Sequence, residues 1–152
     1  MSFLDQHVIF TLDDQRYTLP LPEVERIVPA VYITPLPKAP DIVIGLITVQ
    51  GQVMPVINLR RRFRLPERPI EPEDQFIIVH TPRRIVALSV DTVSGVMTIP
   101  AQETVHRSEI LPTMAYVSGV VQHKDGMLLI HDLEACLSLD EERALDIALQ
   151  AA

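Results

Sequence analysis

Short apolar runs recur along the whole chain, and turn residues separate them at close intervals. The runs are rich in Val, Ile and Thr, a composition that favours strands. A helical interpretation would need apolar positions with a period of 3.6 residues, and these runs lack it. The ten runs read HVIFTL, RYTLPL, RIVPAVYI, IVIGLITV, QVMPVINL, QFIIVH, RRIVALSV, GVMTI, AYVSGVVQ and GMLLIHDL.

Prolines mark the boundaries between these runs. The chain has 13 prolines and only 5 glycines, and most of the prolines lie between runs. Pro55 lies in the middle of a strand-like run. Since proline has no N–H to donate to a neighbouring strand, Pro55 predicts an edge strand or a bulge at that point.

The order of runs and turns repeats within the chain. Residues 17–28 align without a gap on residues 86–97, which pairs Leu19 with Leu88, and Val24 and Ile27 with Val93 and Val96. The stretch LPKAPDIVIG then aligns with LPTMAYVSG, and GLITVQGQVMPVINLRRRF with GVVQHKDGMLLIHDLEACL. Each aligned half ends in an apolar pair with i, i+4 spacing, which predicts a short docked helical turn. The pairs are Leu59 with Phe63 and Leu133 with Leu137.

The repeat predicts the fold class and the organisation of the chain. We expect an all-β protein of two pseudo-repeated, five-stranded, SH3-like small β-barrels that share an apolar seam, because closure removes exposed edges. The expected organisation is one domain over 1–152, with a first barrel at 8–63, a linker at 64–75 and a second barrel at 76–137. Residues 138–152 form a C-terminal helix, since Ser138 and Glu141 have the spacing of a capping box. This helix either packs on a barrel or frays.

Composition and charge exclude several function classes. The chain has 152 residues and a net charge of −7, which argues against general nucleic-acid affinity. Three Tyr, four Phe and no Trp leave little for stacking on single strands. No apolar run is long enough to span a membrane, and the N-terminus lacks the pattern of a signal peptide. The single cysteine fits a reducing compartment, so a cytoplasmic protein is expected.

The sequence offers no catalytic or metal-binding constellation. Its five histidines show no pair at ligand spacing, and Cys136 has no partner cysteine, so neither a metal site nor a cofactor is predicted. Cys136 is interpreted as a buried structural thiol. Asp91 follows a strand and is interpreted as a cap of the next turn. The chain is therefore predicted to be a binding module and not an enzyme.

From about residue 8 to residue 137, the sequence resembles the CheW-like coupling proteins of bacterial chemosensory arrays. The features that carry this resemblance occur in the order and spacing of the family. They are VIFTLDDQRYTLPL, VERI, PLPKAPDIVIGLITVQG, VMPVINLRRRF, VALSVDTVSGV and YVSGVVQHKDGMLLIHDL. The resemblance implies a non-catalytic adaptor that links chemoreceptor tips to the regulatory domain of a CheA-type histidine kinase. The net charge and the lack of a long apolar run predict no nucleic-acid partner and no membrane insertion.

The resemblance also implies two groups of binding residues. Kinase contacts are expected at Val24, Arg26, Ile27 and Gly45. Receptor contacts are expected at Gln50, Val93 and Val96. For the two valines, the alternative is that both belong to the core.

Three positions depart from the pattern of the family. Arg26 stands where the family favours glutamate, Gln50 where arginine is common, and Asn58 where aspartate is common. Changing an acidic and a basic position together avoids leaving one unpaired charge if the two normally face each other. These departures favour an accessory or non-flagellar array, such as one that serves twitching motility by pili.

Two questions stay open at the level of sequence. Arg60, Arg61, Arg62 and Arg64 form either a solvated helix face or a contact for an acidic partner surface. The function is that of a signalling adaptor recruited to membrane-associated receptor arrays, or alternatively that of a small-barrel nucleic-acid or ligand-binding protein. A basic face on the folded protein would favour the alternative.

Overall fold

The computed structural model describes residues 6–100, 104–106, 116–123 and 126–151. Every apolar run named above contains a strand, and β9 is an additional strand that no run predicts. The strands are β1 Gln6–Leu12, β2 Gln15–Pro20, β3 Val24–Pro29, β4 Val43–Val49, β5 Gln52–Ile57, β6 Gln75–His80, β7 Ile85–Val90, β8 Thr92–Thr98, β9 Thr104–His106, β10 Val117–His123 and β11 Gly126–His131.

Helical segments are short except at the C-terminal end of the chain. Helix α1 spans Leu59–Arg62, helix α2 spans Leu139–Ala151, and single 3-10 turns span Leu21–Glu23 and Leu133–Ala135. The capping box that begins α2 is confirmed. The Glu141 N–H donates to Ser138 Oγ at 3.1 Å, and the Ser138 N–H donates to Glu141 Oε1 at 2.9 Å. No helix in the described part of the chain is long and apolar enough to cross a membrane.

The strands form two sheets of equivalent order. One sheet runs β3-β6-β7-β5-β4, and the other runs β8-β1-β2-β11-β10-β9. In the repeat, β1 to β5 correspond in turn to β6, β7, β8, β10 and β11. When each strand is replaced by its counterpart, the order β3-β6-β7-β5-β4 becomes β8-β1-β2-β11-β10, which is the order of the other sheet without β9. The predicted pseudo-repeat is therefore confirmed, with β9 added at one edge. Part of the aligned stretch at 111–119 lies outside the described residues.

The predicted division into barrels at 8–63 and 76–137 is wrong. The β1–β2 hairpin pairs with β8 and β11 of the second half, while the β6–β7 hairpin pairs with β3 and β5 of the first half. Two parallel contacts complete this exchange, between β2 and β11 and between β5 and β7. A repeat shows which strands are equivalent, but it does not show which copy each strand pairs with. Neither half of the chain contains a complete sheet.

Three apolar clusters fill the interior. A shared core joins both sheets and α2, and it includes Phe10, Leu19, Ile77, Leu88 and Leu145. Each sheet also covers a smaller cluster on its opposite face. Successive side chains of a strand point to opposite faces of its sheet. Adjacent residues of β6 therefore lie alternately in the shared core and in the smaller cluster of that sheet. The predicted apolar seam between the two sheets is confirmed, and α2 packs on it instead of fraying.

Pro55 lies inside a sheet and not at its edge. Strand β5 is flanked by β7 and β4, so the expectation of an edge strand is wrong, and the irregularity of the β4–β5 ladder lies elsewhere, between Val43 and Gly45. Leu46, opposite Pro55, exchanges both backbone hydrogen bonds with Thr34, each at 2.8 Å. Pro55 is thus not required to donate to β4. Pairing between β5 and β7 begins at the next residue, where proline no longer interferes.

Candidate protein–protein interface

Two equivalent edge strands carry most of the predicted binding residues. Strand β3 is the outer strand of one sheet and holds Val24, Arg26 and Ile27. Strand β8 is the outer strand of the other sheet and holds Val93 and Val96. An edge strand has a row of backbone N–H and C=O groups without a neighbouring strand, which makes it available to another chain.

Both edge strands have a bulge at the same place. In β3, Val24 pairs with Val79 and Arg26 with Ile78, which leaves Glu25 as an extra residue. In β8, Val93 pairs with Phe10 and Gly95 with Ile9, so Ser94 is the extra residue. Bulges bend an edge strand and redirect its side chains. The two edges are therefore equivalent in local geometry as well as in sheet order.

Each edge combines an anchored valine with an exposed apolar side chain. Val24 and Val93 are half-buried and pack against the shared core. Ile27 is 38% exposed and Val96 is 56% exposed. The alternative that both β8 valines belong to the core is wrong for Val96, and Val93 lies at the core boundary. A charged residue at the exposed positions would change the surface without entering the core.

Arg26 and Gln50 line one small depression on the sheet that contains β3. The depression has a volume of about 80 Å³ and is also lined by Glu25, Gln52 and Met54, among others. Gln50 reaches it from the β4–β5 turn, where Gln50 and Gly51 have φ values of +49° and +79°. Two residues with positive φ make the two-residue hairpin turn that matches strand twist.

Gln50 is placed with the predicted kinase residues and not with the predicted receptor residues. Its turn belongs to the sheet of β3, whereas Val93 and Val96 lie on β8 of the other sheet. Arg26 is half-buried, and its side chain has no hydrogen-bond or ion-pair partner among the described residues. A partly desolvated guanidinium without a carboxylate keeps its donors available to a group on another molecule.

Gly45 is buried beneath a segment of its own chain. A Cβ atom there would clash with the backbone carbonyl oxygen of Thr34 and lie 2.7 Å from Ile33 Cγ2. Thr34 bridges to Leu46 in β4, the residue after Gly45, through two backbone hydrogen bonds. The close approach that glycine permits is therefore internal to the protein. Gly45 supports the packing of the Thr34 segment on β4 and presents no side chain to a partner.

The arginine cluster is mostly structural, which the sequence did not reveal. Arg60 is 9% exposed, and its guanidinium lies 2.6 Å from Asp13 and 2.7 Å from Asp91. Arg68 joins the same cluster through Asp74 and Asp91, both at 2.8 Å. The expectation of a solvated face is wrong for Arg60, and Asp91 is an acceptor for arginines rather than a cap alone.

Electrostatics within this cluster favour the charged forms. Burial opposes ionisation of Arg60, but the hydrogen bonds that its guanidinium donates to Asp91 and Asp13 outweigh this effect and raise the pKa of the guanidinium. Burial also acts to raise the pKa of Asp74, whereas the hydrogen bond from Arg68 and the Glu71 N–H lower it, and the net pKa is below its usual value. The segment 64–74, which has no helix or strand, is held to the sheets by these contacts.

Helix α2 is fixed by two further arginines. Arg62, with a side chain 9% exposed, binds Glu141 at 2.5 Å and donates to the Tyr116 hydroxyl at 2.9 Å. Arg84 binds Glu142 at 2.8 Å and Asp146 at 2.5 Å. The expectation of a solvated side chain is therefore also wrong for Arg62, while Arg61 and Arg64 are exposed.

Buried titratable groups near the shared core do not form a reactive site. Burial lowers the pKa of His131 to about 3, with a further contribution from Arg62, and neither ring nitrogen has a hydrogen-bond partner in the part of the chain that the structure describes. Burial raises the pKa of the Cys136 thiol to about 12, as expected of a structural cysteine. No group of three His, Cys, Asp or Glu side chains in the described ranges could hold a metal ion.

Comparison with known families agrees with this geometry. A family model described as the CheW-like domain matches residues 6–141, nearly the whole chain. The chain belongs to the CheW-like domain family. This family is one of non-catalytic adaptors, so the prediction that the chain is not an enzyme is confirmed.

Individual CheW-like relatives cover most of the chain. It is 27% identical over 143 residues to the chemotaxis protein CheW of Klebsiella aerogenes, covering 93% of this chain and 86% of the relative. It is 28% identical over 144 residues to the protein FrzA of Myxococcus xanthus, covering 94% of this chain and 86% of the relative. The crystal structure of the scaffolding protein TtCheW from Thermoanaerobacter tengcongensis superposes with a TM-score of 0.82 at 28% identity. That match covers 90% of this chain and 94% of TtCheW.

The third departure from the CheW-like pattern has a local explanation. Asn58 caps α1 by accepting from the Arg61 N–H at 3.1 Å, and its Nδ2 donates to Glu67 Oε1 at 2.8 Å. An aspartate could accept the first hydrogen bond but could not donate the second, and it would face the Glu67 carboxylate. The amide at position 58 therefore matches the glutamate at position 67.

Proposed function

We propose that this CheW-like protein is an adaptor that couples chemoreceptors to a CheA-type histidine kinase in a bacterial chemosensory array. The observation that carries the proposal is the pair of equivalent edge strands, one on each sheet, each with an exposed apolar side chain next to a half-buried valine. A coupling protein needs two separate docking surfaces, and this arrangement supplies them.

The kinase docks on the β3 surface. Val24 and Ile27 contribute apolar area, and Arg26 and Gln50 form its polar border, which is the usual composition of a protein interface. Gly45 contributes by letting the Thr34 segment approach β4. The partner at this surface is the kinase regulatory domain.

The receptor docks on the β8 surface. Receptor tips are helical hairpins, and an amphipathic helix binds through an apolar stripe laid against an apolar surface. Val96 offers such a contact at the edge of its sheet, and Val93 connects it to the shared core. The protein works in the cytoplasm and is recruited to membrane-associated arrays through this contact.

The two changed charges support the inference that the protein serves an accessory or non-flagellar array. A partner surface suited to glutamate would meet the Arg26 guanidinium with a charge of the same sign. Like charges across an interface can cost several kcal/mol and exclude the wrong partner. We therefore expect the protein to prefer its own kinase over a general chemotaxis kinase.

Two equivalent substitutions test the proposal. Val96→Glu should weaken binding of a receptor cytoplasmic hairpin by more than about tenfold, whereas Ile27→Glu should weaken binding of the kinase regulatory domain. Each variant should keep the other interaction and its thermal midpoint, because both positions are exposed. Binding measured by calorimetry that is unchanged in both variants would contradict the assignment of the two surfaces.

A further inference from the structure

Asp91 lies where the chain crosses from one sheet to the other. It is the single residue between the end of β7 at Val90 and the start of β8 at Thr92. Strand β7 belongs to the β3-β6-β7-β5-β4 sheet, and β8 is the edge strand of the other sheet. The position of Asp91 therefore sets where the edge strand with Val93 and Val96 begins.

Three donors hold the Asp91 side chain through four hydrogen bonds. Arg60 Nη2 donates to both carboxylate oxygens, at 2.7 and 2.8 Å, and Arg68 Nη2 donates to Oδ1 at 2.8 Å. The backbone N–H of Asp13 donates to Oδ2 at 3.0 Å. The Asp91 N–H in turn donates to the carbonyl of Thr11 at 3.0 Å. Charged and backbone donors from three other segments thus converge on one residue.

Strand β8 has few other constraints. Among the described strands it pairs with β1 alone, and that ladder is interrupted by the bulge at Ser94. Gly95, next to the bulge, has a φ of +135°, which a residue with a side chain rarely adopts. The Val93 N–H donates to Gln75 Oε1 at 2.8 Å. The Asp91 cluster is consequently the main charged attachment of this strand.

The equivalent position before β3 lacks this attachment. The gapless alignment of 17–28 on 86–97 places Pro22 opposite Asp91, and Pro22 lies in the 3-10 turn Leu21–Glu23. Proline has neither a carboxylate nor an N–H to donate. The ion-pair attachment is therefore present on only one of two otherwise equivalent edges.

We propose that Asp91 is a positioning residue for the β8 docking surface, acting through Arg60 and Arg68. It fixes the first residues of β8 so that Val96 is presented in one geometry to a helical partner. This inference rests on the proposed function, because it takes β8 as the receptor side. A surface whose geometry is fixed before binding loses less conformational freedom on association.

Asp91→Asn tests the proposal, since it keeps the size of the side chain and removes its charge. We expect about tenfold weaker binding of a chemoreceptor cytoplasmic hairpin and kinase regulatory-domain binding within about twofold of the unmodified protein. Amide hydrogen exchange should become faster in Val93–Met97 but not in β3. Should this variant not fold, Arg60→Lys gives the same test. Lysine keeps the charge but has one nitrogen, whereas Arg60 uses Nη2 for Asp91 and Nη1 for Asp13.

Asp13→Asn is the matched control. It also removes a carboxylate from Arg60, but its backbone N–H still binds Asp91, so hairpin binding and β8 exchange should stay unchanged. Unchanged β8 exchange in Asp91→Asn would overturn the positioning role, as would equal losses at both docking surfaces. An unmodified protein that does not bind the hairpin would instead contradict the proposed function, and β8 exchange would still decide the role of Asp91.

Discussion

Arg26 and Gln50 face one depression although they are 24 positions apart in sequence, with a long loop and the whole of β4 between them. Each of these residues departs from the charge that the CheW-like pattern favours. Because they meet at one surface, the two departures form a single change in its electrostatic character. The family pattern would place one acid and one base at this surface. This chain instead has a neutral amide there and an arginine whose side chain has no partner among the described residues.

Arg26→Glu should increase affinity for a general chemotaxis kinase. Removing the like-charge contact should strengthen binding of that regulatory domain by about tenfold, and adding Gln50→Arg should strengthen it further. Isothermal calorimetry measures both effects. Arg143→Glu, at an exposed position of α2, changes the net charge by the same amount as Arg26→Glu and serves as the control. If the unmodified protein already binds as tightly as a typical CheW-like relative, Arg26 does not determine specificity.

Gly45→Ala should destabilise the fold. The new methyl group would overlap the Thr34 carbonyl oxygen and crowd Ile33, and overpacking of this kind costs about 1–3 kcal/mol. Urea unfolding gives the change in the free energy of unfolding. Gly51→Asn is the control, because the space around Gly51 is open and asparagine tolerates a positive φ. Full stability of Gly45→Ala together with lost kinase binding would assign Gly45 a direct contact.

His131 should make the protein acid-sensitive. Its pKa is about 3 in the folded state and about 6.5 when unfolded, so the unfolded state binds more protons between these values. Its contribution to stability is complete above pH 6.5 and is lost as the pH falls towards 3. Between pH 7.5 and 5.0 this amounts to about 2 kcal/mol.

His131→Ile should reduce this pH dependence. Ile57, which is fully buried, occupies the equivalent position of the first half, so an apolar side chain suits the site. Urea unfolding of both proteins at pH 7.5 and 5.0 measures the difference. Parallel losses of stability in the two proteins would show that His131 is not the titrating group.

Ser138→Ala should loosen helix α2. The substitution removes the hydroxyl that accepts from the Glu141 N–H, and loss of such a cap costs about 1 kcal/mol. The thermal midpoint should fall accordingly. Ser138→Asn keeps an acceptor at the cap and should retain most of the stability. Identical midpoints for all three proteins would mean that the arginine contacts alone hold α2.

The sequence was sufficient for features that are encoded locally. Alternating and β-branched runs predicted the strands, and the spacing of Ser138 and Glu141 predicted the start of α2. The repeat predicted two equivalent five-stranded units, because equivalent segments with equivalent turns adopt equivalent structures. The ordered set of motifs was enough to assign the family.

Tertiary structure alone decided which strands pair and which charges are buried. The hairpin exchange depends on parallel contacts such as Thr18 with Ile130, for which the repeat offers two equally good candidates. The burial of Arg60 depends on carboxylates 47 and 31 residues away, at Asp13 and Asp91. An arginine is buried at low cost only where such partners meet it, and local sequence does not contain that information.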